Sequence, residues 1–111
     1  MNLIQIIGDK IKIIEGEKHQ VGESGDHKFA FSSISLENTD QSSFYLCSSG
    51  VFNLIGGSDY KKLTVDKLSA YFMKNSGYLM EQQKIIVNDF LTDWTGSNRQ
   101  NDDILVIGFH A

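Results

Sequence analysis

The sequence QNDDILVIGF, residues 100–109, places two adjacent carboxylates directly before an unbroken apolar run. Four aliphatic residues ended by a glycine are typical of a strand buried on both faces. Because successive strand side chains point to opposite faces, Asp102 and Asp103 cannot both face one ligand, and Asp102, nearer the preceding loop, is the better site candidate. A pair of acids is a weak motif by itself. The alternative is that both are solvated loop residues that keep the strand end from pairing with other chains.

The composition indicates one small domain without affinity for polyanions. The chain has 111 residues, 41% of them apolar, and a formal net charge of −4. Nucleic acids and anionic membranes both select proteins with clustered Lys and Arg, whereas the 10 basic residues here are scattered. No apolar run approaches the roughly 20 residues that a membrane-spanning helix needs. We therefore expect neither nucleic acid nor a membrane as a partner.

The cysteine and histidine content predicts no disulfide and no histidine metal site. Cys47 is the one cysteine and lies in an apolar run, which indicates a buried thiol in the reducing cytoplasm. His19 and His27 fall in the polar segment 15–27, without a neighbouring cysteine or regularly spaced acids. Surface histidines are therefore favoured there over metal ligands.

The first half of the chain is rich in strand patterns. Residues 3–7 and 10–14 are two β-rich runs joined by Gly8-Asp9, which predicts a tight hairpin, because such turns need positive φ. Residues 28–36 alternate imperfectly and suggest a further, bulged strand. Residues 44–47 form another continuous apolar run and predict a second central strand. The later pair Gly56-Gly57 lacks a full phosphate-loop pattern, so a plain turn is expected there.

Two helices are predicted in the second half. Thr64 is a suitable N-cap for a helix that ends at residues 75–77, and Asp66 in its first turn favours the helix dipole. A second helix is expected at about residues 78–94, with a core-facing stripe that the sequence assigns to Leu79, Ile86, Phe90 and Trp94, widened by Val87 and Leu91. The order is β-β-β-β-α-α-β. This order predicts an α+β domain with a mostly antiparallel sheet and both helices on one face.

Four segments, in this order and spacing, resemble the C-terminal half of the bacterial PPM-type serine/threonine phosphatases of the SpoIIE/RsbU/SiaA kind. They are FYLCSSGVFNLIGG (44–57), QQKII (82–86), DWTG (93–96) and NDDILVIGF (101–109). The resemblance begins near residue 3 and is most specific in the last third. It implies that residues 1–111 are a single truncated domain, part of a PPM-phosphatase-like β-sandwich.

The resemblance also implies a two-metal centre, with Mn²⁺ or Mg²⁺ activating a water that attacks a phosphoserine or phosphothreonine. The family's late metal ligand falls on Asp102, which is retained. The aspartate of the family's Asp-Gly pair is replaced by Ser49, beside Gly50. Asn53 stands where relatives often carry another acid, and we assign it no catalytic role. The family's early Asp-x-x-Gly-His-Gly segment has no counterpart here, so too few ligands remain for a pair of metal ions. A nucleophile at Ser48 or Ser49 is disfavoured, because no base is recognisably placed near either.

Three functions remain open from the sequence. The first is a regulatory or protein-binding module in partner-switching signalling, inactive as a phosphatase and without a cofactor, with a STAS-domain protein as partner. The second is a fragment of an active phosphatase that binds Mn²⁺ or Mg²⁺ when completed by another chain. The third is a relic that serves only as an assembly surface. Missing strands would leave exposed sheet edges, which predicts a homodimer or pairing with a complementary phosphatase half.

Overall fold

A four-stranded antiparallel sheet covered on one face by two helices is the framework of the protein. The computed structural model describes residues 1–16, 33–36 and 40–110. Their elements, in chain order, are β1 (Leu3–Ile7), β2 (Lys10–Ile14), β3 (Ser42–Cys47), a 3₁₀ helix (Ser49–Asn53), β4 (Ile55–Gly56), β5 (Lys61–Lys62), α1 (Val65–Lys74), α2 (Met80–Thr95) and β6 (Val106–His110). The predicted α+β class is confirmed.

The sheet has the strand order β2-β1-β3-β6, and all three pairings are antiparallel. The predicted hairpin between β1 and β2 is confirmed, and Gly8 in its turn has φ of 57°. β3 lies between β1 and β6, as expected for a central strand. The imperfectly alternating segment 28–36 lies mostly outside the described residues, and its last four residues have no regular structure. His19 and His27 also lie outside the described part of the chain.

The core forms between the sheet and the helices. Alternate residues of β1 and β3, among them Ile4, Ile6 and Tyr45, face α1 and α2 and are at most 3% exposed. The Tyr45 ring stacks on Phe72 of α1 at a centroid distance of 4.0 Å and an interplanar angle of 4°. Burial raises the pKa of the Tyr45 hydroxyl above its ordinary value, and this hydroxyl donates a hydrogen bond to Gln83 Oε1 of α2. The stack and the hydrogen bond therefore tie β3 to both helices.

The predicted burial of the single cysteine is confirmed. Cys47 ends β3 as a free thiol that is 2% exposed. Burial raises its pKa to about 12, because the apolar surroundings disfavour the thiolate. The native thiol therefore stays protonated and unreactive near neutral pH.

Both helices begin close to where the sequence places them. Thr64 Oγ1 accepts a hydrogen bond from the Lys67 backbone N–H at 3.2 Å, so the predicted N-cap of α1 is confirmed. α2 begins at Met80, after Leu79 in the cap position. The prediction that Leu79 faces the core is wrong, because this side chain is 68% exposed. Gln83, 2% exposed, occupies the buried position instead, since its amide meets the Tyr45 hydroxyl.

The last strand corrects the expectation of a strand buried on both faces. Among the described strands, β6 lies at the edge of the sheet, and Ile107 and Phe109 are 44% and 42% exposed. Only its helix-facing residues approach the core, and the exposed Gly108 has little room for a side chain. A Cβ at Gly108 would lie 3.2 Å from both Met80 Sδ and Tyr45 Cδ1. The apolar run shows that a strand forms, but the number of its neighbours depends on the rest of the sheet.

The glycine pair 56–57 is a packing site as well as a turn. Gly56 belongs to the two-residue ladder of β4 and β5, which the sequence patterns did not predict. A Cβ at Gly56 would lie 1.7 Å from the Trp94 carbonyl oxygen, so only glycine lets β4 approach α2 this closely. Trp94 also donates from Nε1 to the Leu54 carbonyl at 3.2 Å. Among the described helices, none is long and apolar enough to cross a membrane.

Candidate functional site

The sequence motif around Ser49 and the acidic pair before β6 meet at one end of the sheet. β3 ends at Cys47, and Ser48 continues the contact with the chain that enters β6. The Ser48 backbone N–H donates to the Leu105 carbonyl at 2.9 Å, and the Leu105 N–H donates to Ser48 Oγ at 2.9 Å. Ser48 therefore fixes the incoming loop against the start of the 3₁₀ helix, a positioning role that the sequence alone did not reveal.

Gly50 brings these two segments into direct contact. A Cβ at Gly50 would lie 2.1 Å from the Asp103 carbonyl oxygen and 3.0 Å from Asp102 Cβ. Only a residue without a side chain allows this approach. Close packing therefore explains why a glycine follows Ser49. The two candidate site residues, Ser49 and Asp102, lie on segments that pack against each other.

The Asp102 carboxylate is engaged by a neutral partner. Asn53, at the end of the 3₁₀ helix, donates from Nδ2 to Asp102 Oδ2 at 2.7 Å. Gln100 Nε2 donates to the Asp102 carbonyl at 2.9 Å, which orders the loop further. The resemblance placed Asn53 where relatives often carry an acid, and we assigned it no catalytic role. Its hydrogen bond with Asp102 spans 49 positions of the chain, so local sequence patterns did not predict this contact.

This set of groups does not fit a two-metal centre. Ser49 and Asp102 are exposed, and the Asp102 carboxylate accepts a hydrogen bond from the neutral Asn53 amide. Within residues 1–16, 33–36 and 40–110, no group of three or more His, Cys, Asp or Glu side chains could hold a metal ion. Divalent cations of the Mn²⁺ and Mg²⁺ type require several anionic oxygen ligands to compensate for lost water. The amide N–H that faces Asp102 occupies a direction from which a cation would approach.

A mainly apolar groove of about 710 Å³ lies between α2 and β6. Its walls include Met80, Val87 and Leu91 of α2, and Ile104 to Gly108 of the last strand and its approach. Ser49, Asn53 and Asp102 do not line it. The groove and the candidate site are therefore separate features of the surface.

Among the comparisons with known proteins, the one with solved structures gives a match. No protein-family model matches the chain, and no curated protein sequence is significantly similar to it. Among solved structures, the SiaA-PP2C domain of Pseudomonas aeruginosa matches with a TM-score of 0.85 at 17% sequence identity. The match covers 99% of this chain and 42% of that chain, so the chain spans less than half the length of the structure it matches. The resemblance noted from the sequence is thereby confirmed at the level of the fold, and the chain has the α+β fold of part of a PPM (PP2C) phosphatase domain.

Proposed function

We propose that this chain is a PPM-phosphatase-related domain that lacks metal-dependent phosphatase activity of its own and acts by binding another protein. The observation that carries the proposal is the hydrogen bond from Asn53 Nδ2 to Asp102 Oδ2. It shows the one retained candidate ligand paired with a neutral donor. Phosphatase chemistry of this class requires metal ions that acidify a water, and a single carboxylate does not hold such ions.

The proposed setting is partner-switching signalling in the cytoplasm, with a STAS-domain protein as the partner. The relatives that the sequence resembles act on phosphorylated STAS-domain proteins. A domain that has the fold of these relatives but lacks their metal-ligating residues could still bind such a protein without dephosphorylating it. The net charge of −4 supports a protein rather than a polyanion as the partner.

The first test measures both metal binding and activity. With Mn²⁺ and a phosphoserine STAS-domain protein, we expect the chain to release no phosphate above the buffer level. Calorimetric titration should show equally weak Mn²⁺ binding for the wild type and for Asp102→Asn. The double variant Ser49→Asp with Asn53→Asp should bind Mn²⁺ at least about tenfold more tightly, because one new carboxylate replaces the amide that contacts Asp102 and the other lies on the segment that packs against the Asp102 loop. Phosphate release by the wild type, inhibited by Asp102→Asn, would contradict the proposal.

A second candidate function is that of a phosphatase fragment completed by another chain, with Mn²⁺ or Mg²⁺ as cofactor. It is favoured by the match itself, which covers 99% of this chain but only 42% of the PP2C domain chain. It is also favoured by the exposed position of Asp102, which a ligand from a second chain could reach. Against it stands Ser49, which supplies a neutral hydroxyl where the family has a carboxylate.

The fragment hypothesis makes a separate prediction. A chain that carries the remaining part of a PP2C domain should restore phosphoserine phosphatase activity when mixed with this protein and Mn²⁺. Asp102→Ala should abolish that activity, and the matched control Asp103→Ala should retain most of it. Equal losses in both variants would show that the acids act through the loop rather than through a metal ion. No activity in any mixture would leave the inactive binding module as the better proposal.

A further inference from the structure

A network of polar side chains, the His110–Gln83 network, runs from the end of β6 through the core to α2. His110 lies opposite Ser43 of β3, and its Nδ1 is 3.1 Å from Ser43 Oγ. Ser43 also hydrogen-bonds with the Tyr45 hydroxyl, which in turn contacts Gln83 Oε1. Gln83 Nε2 donates to the Tyr78 backbone carbonyl at 2.8 Å. The three middle side chains are at most 3% exposed, so their hydrogen bonds are made within the protein rather than with bulk water.

The carbonyl at one end sets the direction of every hydrogen bond in this network. A backbone carbonyl can only accept, so the Gln83 nitrogen faces Tyr78 and the Gln83 oxygen faces Tyr45. The amide oxygen also only accepts, so Tyr45 donates its single hydroxyl proton to Gln83. Tyr45 must therefore accept from Ser43, which uses the one hydroxyl proton of Ser43. The remaining contact then requires His110 Nδ1 to donate to Ser43 Oγ.

We propose that this one-way network holds the neutral His110 side chain in the tautomer that carries its proton on Nδ1. A neutral imidazole has one N–H group, so a donor at Nδ1 leaves the lone pair on Nε2. The neutral ring can then only accept a hydrogen bond at Nε2. Gln83 is thus a positioning residue for His110, although Ser43 and Tyr45 stand between the two side chains in the network.

The opposite direction leaves buried groups without a proton between them. If His110 Nδ1 accepted from Ser43, then Ser43 would accept from Tyr45, and the Tyr45 oxygen would face Gln83 Oε1 as a second acceptor. A buried polar group left unsatisfied costs more than an ordinary hydrogen bond contributes. The inference uses only the hydrogen bonds between the sheet and α2, so it is independent of the proposed loss of phosphatase activity.

Nuclear magnetic resonance of the ¹⁵N-labelled protein at about pH 9, where an ordinary histidine is neutral, tests the tautomer. We expect Nδ1 of His110 to show the chemical shift of a protonated nitrogen and Nε2 that of an unprotonated one. His110→Gln identifies these signals among the 3 histidines of the chain. A wild type with the proton on Nε2, or with the proton exchanging equally between the two nitrogens, overturns the proposal.

Two substitutions elsewhere in the network test its direction. Gln83→Met removes the acceptor of the Tyr45 proton, so Tyr45 can donate to Ser43 instead. Tyr45→Phe removes the acceptor of the Ser43 proton. Either change frees Ser43 to donate to His110 Nδ1. The ratio of the Nδ1–H to the Nε2–H tautomer should therefore fall by about twofold to tenfold, which corresponds to one ordinary hydrogen bond.

Gln5→Met is the matched control for Gln83→Met. Gln5 is also 2% exposed, but it donates to Ser42 on the other face of the sheet, so its replacement should leave the His110 tautomer unchanged. Circular dichroism verifies that each variant is folded. A tautomer ratio that neither Gln83→Met nor Tyr45→Phe changes, or that Gln5→Met changes equally, would show that the network does not set it.

Discussion

Replacing Phe72 with alanine is expected to lower the free energy of unfolding by about 3–5 kcal/mol, the usual cost of truncating a buried phenylalanine. Phe72 is 1% exposed and stacks on Tyr45 at 4.0 Å, so the substitution removes apolar contacts and opens a cavity between α1 and β3. Domains of this size are stable by only about 5–15 kcal/mol, so a large share of the stability would be lost. Urea unfolding followed by far-UV circular dichroism measures the change.

Tyr78→Ala is the matched control for the loss of an aromatic ring. Tyr78 lies between the two helices and is 50% exposed, so its truncation should change the free energy of unfolding by less than about 1 kcal/mol. An equal loss of stability in the two variants would mean that the Phe72–Tyr45 stack does not anchor α1 to the sheet.

Replacing Gly50 with alanine is the second change with a large expected effect, a loss of about 2–3 kcal/mol from overpacking. The new Cβ would lie 2.1 Å from the Asp103 carbonyl oxygen. This neighbour is backbone, and the hydrogen bonds between Ser48 and Leu105 hold it in place. The loop must therefore move, and the contact between Asn53 and Asp102 should be lost with it. Thermal unfolding measures the first effect, and the NMR signals of the Asn53 side-chain amide measure the second.

Gly77→Ala provides the control for this substitution. A Cβ at Gly77 would meet no atom within 4 Å, so alanine should be neutral or stabilising by up to about 1 kcal/mol. If Gly50→Ala were as stable as Gly77→Ala and kept the Asn53 amide signals, the close approach of the two segments at the candidate site would be wrong.

The features that the sequence predicted correctly are those set by residues close together in the chain. The Gly8-Asp9 hairpin, the Thr64 cap and the central position of the strand that ends at Cys47 were all predictable, because turn dihedrals, capping and continuous apolar runs are local signals. The short β4–β5 ladder was not predictable in this way. It depends on Gly56 fitting against the Trp94 backbone, a contact between distant parts of the chain.

Burial and site geometry were harder to predict than secondary structure. The aliphatic run before Gly108 predicted a strand but not an edge strand, because the number of paired neighbours is set by the whole sheet. Hydrophobic periodicity selected Leu79 for the core and overlooked Gln83, which is buried through its hydrogen bond with Tyr45. At the candidate site, the resemblance singled out Ser49 and Asp102. The hydrogen bond that Asn53 donates to Asp102 was found only in the three-dimensional structure.

The buried thiol at the end of β3 can serve as a natural probe of how often this part of the protein opens to solvent. Cys47 is the one cysteine of the chain, it is 2% exposed, and its pKa is raised to about 12. The thiolate is the nucleophile that attacks a thiol reagent, so Cys47 reacts at a useful rate only while β3 is transiently exposed to solvent. The speed of labelling under native conditions therefore reports how often the centre of the sheet opens, without any engineered probe.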